Sequence, residues 1–325
     1  MPQPPINAFC VDLEEWWHIC AADTPYNDPA TWDSAPPFVV KDTEVLMRLL
    51  DETGARGTFL TVGWVAEKYP SLIKRLADAG HEIGCHTYHH RVVYEQTPEE
   101  FDADIGRCVK VLREVSGQKV NTFRAPGFSM KREAFSYAYP ILAKHGIEID
   151  VSIVPAARDH GGVAGFTRDP FLLRLPSPSE TGARASGSVL STPVVPTMKC
   201  WPVSVMDFMG KTMPFSGGGY LRLFPMPLIK HGYRQNHAAG RPGMSYIHPR
   251  EIDPAQPRLK LPWKKYFKYY VGIKGCEDKL REVLNTFKFT TISDVLAHVT
   301  HWPEYELSGG DIRPLPEPTP KSAAA

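Results

Sequence analysis

His86 and His90 stand four residues apart in the run Gly84-Cys85-His86-Thr87-Tyr88-His89-His90, and two imidazoles at that spacing can share one divalent cation if the segment turns helical. With 12 histidines in 325 residues, about 0.4 such pairs arise by chance, so the spacing needs partners before it carries chemistry. A zinc-protease helix has Glu directly after its first His, and here that place holds Thr87. A water activated at such a cation must find its base elsewhere, and Asp12 or Glu14, in Val11-Asp12-Leu13-Glu14-Glu15-Trp16-Trp17, is the natural supplier. His89 lies off the shared face of His86 and His90 and reads as structural.

Three more segments add groups of the right kind. Arg124 is followed by Ala125-Pro126-Gly127-Phe128, a turn that would hold its cation rigidly. Asp150 closes the apolar run 147–149, and His248 stands alone in Ser245-Tyr246-Ile247-His248-Pro249-Arg250-Glu251-Ile252-Asp253. Taken singly, each has an ordinary reading: a solvated turn, a surface cation, a structural imidazole. Their recurrence at the ends of successive apolar runs points instead to loops that meet over the C-terminal edge of a parallel sheet.

The elements that would position them alternate. Residues 6–11, 57–62, 81–86, 120–124 and 147–153 are short, apolar and often β-branched, with amphipathic stretches between. One helix shows its own start and stop, with Thr97 as N-cap, Pro98 first, Glu100 completing a capping box and Gly117 past the end. Helices are also expected over 42–52, closed by Gly54, and over 70–80. From 156 to 243 Pro and Gly become frequent, so long substrate-side loops are expected there, flexible at 215–220, with a short helix or two around 220–233. Alternation resumes with a strand at 244–248, a helix at 276–286, a strand at 287–292 and a helix at 293–299. The end, 308–325, is Pro-rich with small residues and is expected to be disordered.

Composition bounds the function. Hydrophobic content of 42% and charged content of 22% suit a soluble enzyme, and a net charge of +1 leaves no basic domain for nucleic acid. No run approaches the ~18 apolar residues of a membrane span. The six cysteines are scattered without a Cys-x-x-Cys pair; Cys10, Cys85 and Cys108 fall on core faces. With no secretory leader at Met1-Pro2-Gln3-Pro4-Pro5, this leads to the expectation of a reducing, cytoplasmic setting.

The ordered set Asp12-Leu13-Glu14, His86-x-x-x-His90, Arg124-x-Pro-x-Phe128, Asp150 and Ile247-His248 resembles the five motifs of the polysaccharide deacetylases, carbohydrate esterase family four, over roughly residues 6 to 300. Gly217-Gly218-Gly219-Tyr220-Leu221-Arg222 and the 246–253 segment look like a bacterial subgroup tied to exopolysaccharide and surface-glycan loci. The resemblance implies an α/β fold, an irregular (β/α) barrel with long inserted loops. It implies one catalytic domain over 1–307, with 156–243 as a loop-rich insertion and 260–300 as a C-terminal extension. It further implies a hydrolase that uses a divalent metal, Zn2+ first and Co2+, Ni2+ or Fe2+ as alternatives, to remove N-acetyl groups from amino sugars of a polysaccharide or of a lipid- or nucleotide-linked precursor. Its oligomeric state is not implied.

Carried over residue by residue, the family pattern makes Glu14, His86 and His90 the metal ligands and Asp12 the base, with exchange of the two acids open, and Arg124 fixing Asp12. His248 becomes the acid for the leaving amine, with Asp150 holding its tautomer, while a backbone N–H near Gly127 or Phe128 helps the metal hold the oxyanion. Trp16, Trp17, Phe128 and Tyr220 are the candidates for contact with sugar. The chain departs from the family twice: the acids are separated by Leu13, and Ile153 stands where the fourth motif usually reaches Trp. Two other readings share the fold, a glycan-binding pseudoenzyme and a hydrolase of another C–N bond of the allantoinase or cyclic-imidase kind.

Overall fold

The computed structural model describes residues 5–20, 23–157, 161–176 and 196–316. Its first half alternates as the apolar pattern demands: β1 (Asn7–Leu13), α1 (Val39–Glu52), β2 (Thr58–Thr61), α2 (Gly63–Lys68), α3 (Pro70–Asp78), β3 (Glu82–Cys85), α4 (Pro98–Ser116), β4 (Thr122–Phe123), α5 (Arg132–Lys144) and β5 (Ile149–Asp150). The capping box of α4 is present, and Gly117 ends it in the left-handed region at φ 69°.

The second half contains β6 (Phe171–Arg174), β7 (Thr197–Cys200), β8 (Val205–Phe208), β9 (Lys211–Pro214), α6 (Gly218–Leu223), α7 (Met226–Ala238), β10 (Met244–Ile247), α8 (Trp263–Tyr270), α9 (Cys276–Thr286), β11 (Phe289–Thr290), α10 (Ile292–Leu296), β12 (Glu304–Ser308) and β13 (Asp311–Pro314). The ladder order is β10-β1-β2-β3-β4-β5-β7-β6-β12-β13, with β11 also on β1, and β8 and β9 form a separate hairpin. From β10 through to β7 the neighbours are parallel.

The sheet curls. A flat sheet would set β10 and β4, four places apart, roughly 19 Å from each other. Instead Arg124, just past β4, brings its Nη2 3.1 Å from Met244 Sδ on β10. The strands therefore wrap a common interior, and strand alternation divides the core in two. Ala8 and Cys10 of β1 pack inward with Leu60, Ile149, Met244 and Tyr246. Phe9, Val11 and Leu13 pack outward against helix residues such as Leu46, Leu50 and Leu72. This is the expected irregular (β/α) barrel, although its ladder does not close among the described residues.

Four expectations change. The 156–243 region carries β6 to β9 as well as the helices expected near 220–233. Its strands are four residues long between Pro and Gly turns, too short for alternation to be read from sequence. The supposedly flexible 215–220 is packed, since Phe215 is fully buried and α6 starts at Gly218. The 260–300 segment is not appended to the barrel, because β11 pairs in parallel with β1. At the C-terminus, where disorder is expected from 308, β12 and β13 form an antiparallel hairpin, and only 317–325 lie outside the described residues.

Candidate metal centre and active site

β1 delivers two carboxylates to one side. Period-two alternation puts Asp12 in line with Ala8 and Cys10, toward the interior, and Glu14 continues that line just past the strand. The spacing Asp12-Leu13-Glu14 is thus a geometric device in which Leu13 goes outward. Glu15 takes the other side and has a structural duty: its carboxylate accepts the N–H groups of Phe38 and Val39, at 3.1 and 3.3 Å, and caps α1, which has no local side-chain cap. Burial pushes the Glu15 carboxyl up to about 7 against those hydrogen bonds.

His86 and His90 converge, but not on a helix. Residues 86–90 form an irregular turn, with Thr87 at φ 62° and His90 at φ 54°. For a β-branched Thr this region costs on the order of 1–3 kcal/mol, a strain that the surroundings must hold in place. Asp104 of α4 supplies the restraint by accepting Tyr88 N–H at 2.6 Å, His89 N–H at 3.1 Å and His89 Nδ1 at 2.9 Å. His89 is thereby tied to Asp104 and stands outside the converging set of Glu14, His86 and His90.

His86 Nδ1–H donates to the Arg124 carbonyl at 2.7 Å, which fixes the tautomer and leaves the Nε2 lone pair facing Glu14. Burial pulls His86 down to about 4, against the raising influence of Asp12 and Glu14, so its ring is neutral and ligand-ready. Glu14 Oε2 lies 2.5 Å from His90 Nε2 and 3.9 Å from His86 Nε2. That oxygen is buried and makes no aligned hydrogen bond. The ligand atoms of Glu14, His86 and His90 all lie within 4.8 Å of one another. Two imidazole nitrogens and one carboxylate oxygen on one spot are a donor set that fits a divalent cation. Burial pulls the His90 proton off, but the Glu14 carboxylate and Cys20 outweigh it and raise that ring to about 10. A cation at Nε2 would replace that proton.

Asp12 is held from behind. Arg124, fully buried, donates from Nη1 to Asp12 Oδ1 at 2.6 Å, and its guanidinium faces Phe128 at 5.3 Å and Tyr246 at 5.4 Å. Burial works against the Arg124 charge, and Asp12 more than restores it.

Asp150 requires a correction. It accepts from Tyr139 Oη at 3.1 Å and from Ser152 N–H at 3.1 Å, and Ser152 Oγ in turn accepts Ala125 N–H at 2.8 Å. It braces the Arg124 turn instead of touching His248, because β5 lies five places along the curled ladder from β10. The carboxylate on His248 is Glu251. His248 Nδ1–H donates to Glu251 Oε2 at 3.1 Å, and the His248 backbone N–H reaches the same oxygen at 3.0 Å. Arg222 binds the other oxygen from Nε and Nη2, both at 3.2 Å. Burial would raise Glu251, but His248, Arg222 and Arg250 hold it down at about 2.

This arrangement explains the glycine run. A Cβ on Gly218 would lie 1.7 Å from Glu251 Oε2, and one on Gly217 would lie 2.2 Å from the Tyr246 ring. The 217–222 and 246–253 segments are therefore one physical unit, built around the ring of His248. Its Nε2 faces Asp12 Oδ2 and Glu14 Oε1, each at 3.7 Å.

Sequence reasoning missed Glu251, Arg222, Arg250 and His18. Glu251 had a signal, the x-x-Glu spacing of a capping box after His248. Arg250, whose Nη1 lies 3.1 Å from Glu14 Oε1, had none. His18 stacks on His90 at 5.2 Å and is held neutral, chiefly by burial.

These groups open into a pocket of about 330 Å³, lined by Asp12, Glu14, His90, Phe128, Tyr220, Tyr246, His248 and Arg250 among others. Phe128 and Tyr220, two of the residues expected to contact substrate, are in that lining. Trp16 and Trp17 are not in that lining: both are buried, in a cluster with Trp32, Tyr26 and Phe38, and Trp16 Nε1 donates to the Pro36 carbonyl at 3.0 Å. Of the two backbone donors considered for an oxyanion, Phe128 N–H is committed to the Ala125 carbonyl at 3.0 Å. Among the described residues no helix is long and apolar enough to cross a membrane.

Comparison with known proteins divides the chain in two. Residues 30–149 match the polysaccharide deacetylase family, and residues 151–297 match a domain of unknown function, DUF3473. A peptidoglycan-N-acetylglucosamine deacetylase of Bacillus cereus is 32% identical over 108 residues, which are 31% of this chain and 38% of that protein. A chitooligosaccharide deacetylase of Azorhizobium caulinodans is 34% identical over 97 residues, 30% of this chain and 45% of that protein. The chain thus spans less than half the length of these curated relatives. A crystal structure from Mycobacterium smegmatis, provisionally designated a polysaccharide deacetylase, is 20% identical with a TM-score of 0.54, covering 92% of this chain and 94% of its own, and shares the fold.

Proposed function

The chain belongs to the polysaccharide deacetylase family, and from that premise we propose that it removes N-acetyl groups from amino sugars of a polysaccharide or surface-glycan precursor, with a divalent cation at Glu14, His86 and His90. The observation that carries the reading is the convergence of those three ligand atoms within 4.8 Å, beside the Asp12–Arg124 pair and His248. When bound, the cation supplies Lewis-acid polarisation of the acyl carbonyl and brings the pKa of a water toward neutrality. Zinc is the proposed ion, since two imidazoles and one carboxylate with open positions suit it; Co2+, Ni2+ and Fe2+ are the alternatives.

Asp12 is the base. Arg124 occupies Oδ1 and leaves Oδ2 to take a proton from the attacking water. His248 delivers a proton from Nε2 to the departing amine, which leaves poorly without one. Glu251 fixes that ring by holding its Nδ1–H, and Arg222 fixes Glu251. Asp150 serves indirectly, through Ser152 and the turn that carries Arg124. Phe128 and Tyr220 form the walls against which the sugar packs.

We read residues 1–307 as one catalytic domain, a reading supported by β10 and β11 both pairing with β1. A lipid- or nucleotide-linked precursor in the cytoplasm is the proposed setting, supported by six unpaired cysteines, five of them buried. The test is acetate release from N-acetylated chitooligosaccharides and nucleotide-linked amino sugars, with and without chelator. Chelator-sensitive acetate is expected; ammonia in its place, or release indifferent to chelator, would overturn the proposal.

A further inference from the structure

Asp12 and Glu14 each meet a buried arginine. Arg250 stands to Glu14 as Arg124 stands to Asp12: its Nη1 lies 3.1 Å from Glu14 Oε1, and the two side chains are only 10% and 1% exposed. The same nitrogen donates to the His18 carbonyl at 3.3 Å, and the His18 ring stacks on His90 at 5.2 Å. One guanidinium nitrogen therefore touches one proposed ligand and the backbone of the residue that backs another.

The local structure holds Arg250 in place. It belongs to the short turn Pro249–Ile252 that follows His248, where Gln256 Nε2 donates to its carbonyl, and its guanidinium faces the Tyr269 ring at 5.3 Å. A planar guanidinium that is charged at every accessible pH holds a carboxylate more rigidly than an ammonium on a flexible stem.

A carboxylate with both oxygens open can meet a cation with one or with two. The two oxygens of Glu14 have different surroundings. Oε2 lies 2.5 Å from His90 Nε2 and 3.9 Å from His86 Nε2, while Oε1 lies beside Arg250 with His248 Nε2 3.7 Å away.

We propose that Arg250 is a positioning residue that restricts Glu14 to one ligand oxygen: by holding Oε1 it leaves Oε2 alone for the cation beside His86 and His90. A single oxygen from Glu14 keeps positions on the cation open for water and for the acyl oxygen. With Oε1 occupied, Glu14 also does not compete with the departing amine for the hydrogen on His248 Nε2. Arg124 has the matching part at Asp12, where it holds Oδ1 and leaves Oδ2 for the water, so the two arginines keep ligand and base apart. The inference rests on the reading of Glu14, His86 and His90 as the cation site.

The test is titration of the metal-free full chain with Co2+, read by its visible absorption, in the wild type and in Arg250→Met. Both are expected to take up the ion at the site. In Arg250→Met the bands should lose intensity and shift, as a second Glu14 oxygen raises the coordination number. For acetate release, kcat should fall about tenfold to a hundredfold with KM little changed. Arg250→Lys should recover part of both, and thermal unfolding of the metal-free variants separates these effects from a damaged fold. Should Arg250→Met not fold, Arg250→Gln drops the charge while keeping a donor, and the same changes are expected of it. Bands identical to the wild type would overturn the proposal, whether or not kcat falls, because a purely structural or substrate-contacting Arg250 leaves the Co2+ spectrum alone. A wild type that takes up no Co2+ would overturn the cation reading itself and this inference with it, whereas unchanged bands in the variant leave that reading standing.

Discussion

The two halves of the barrel contribute to the site in different ways. In the first, β1 to β5 alternate with helices, and three strand ends present the groups: Asp12 and Glu14 at the end of β1, the imidazoles after β3, Arg124 after β4. In the second, one imidazole, His248, needs a support built from several short elements, with Glu251 from the next turn, Arg222 from α6 and Gly218 clearing the space between them. The family match follows the same division, since 30–149 contains His86, His90 and Arg124, while His248 and Glu251 fall in 151–297. The acids of β1 precede both matches. The lesson is that the proposed cation site rests on the regular half and the proposed proton delivery on the irregular half, and the two functions should fail separately.

The strongest break is in the first half. His86→Ala removes a ligand whose ring is locked on the Arg124 carbonyl, and metal content measured after purification should fall with acetate release becoming undetectable. Next comes His248→Ala, expected to keep its metal and lose on the order of 10²–10⁴ in kcat. A His248→Ala protein with normal turnover would end the assignment of that ring as the acid. Glu251→Gln and Asp150→Asn then sharpen the comparison within the site: the first should lower kcat by roughly tenfold to a hundredfold with KM little changed, and the second should cost less. The reverse ranking would return the orienting role to Asp150.

The smallest effect concerns stability. Asp42, on α1, is raised to about 8 by burial and by nearby Asp253, despite Lys41. A carboxyl whose folded pKa lies above its unfolded value binds its proton more tightly when folded, so its contribution to stability falls as pH rises from about 4 to about 8. Asp42→Asn should flatten the Tm profile across that window and raise Tm at its upper end, as thermal unfolding would read.

Much of the regular half was legible. The alternation of short apolar runs with capped amphipathic helices depends on local periodicity, and the ends of those runs pointed to Asp12, Glu14, His86, His90 and Arg124. The less accurate expectations have two causes. Four-residue strands in 171–214 are shorter than the window in which alternation can be recognised. The tryptophans after β1 looked like a sugar platform because aromatic residues read alike in a core and in a cleft, and only their packing with Trp32 and Tyr26 separates the cases.

What the sequence determined by itself is the inventory of reactive groups and the side of β1 on which its acids lie, since alternation along a strand needs no partner. The curl of the sheet decided which of them meet. It brought Arg124 across to Asp12, left Asp150 to brace the Arg124 turn, and set Glu251 under His248. The helix imagined for His86 and His90 became a strained turn restrained by Asp104, because only long-range contacts can hold two non-glycine residues at positive φ.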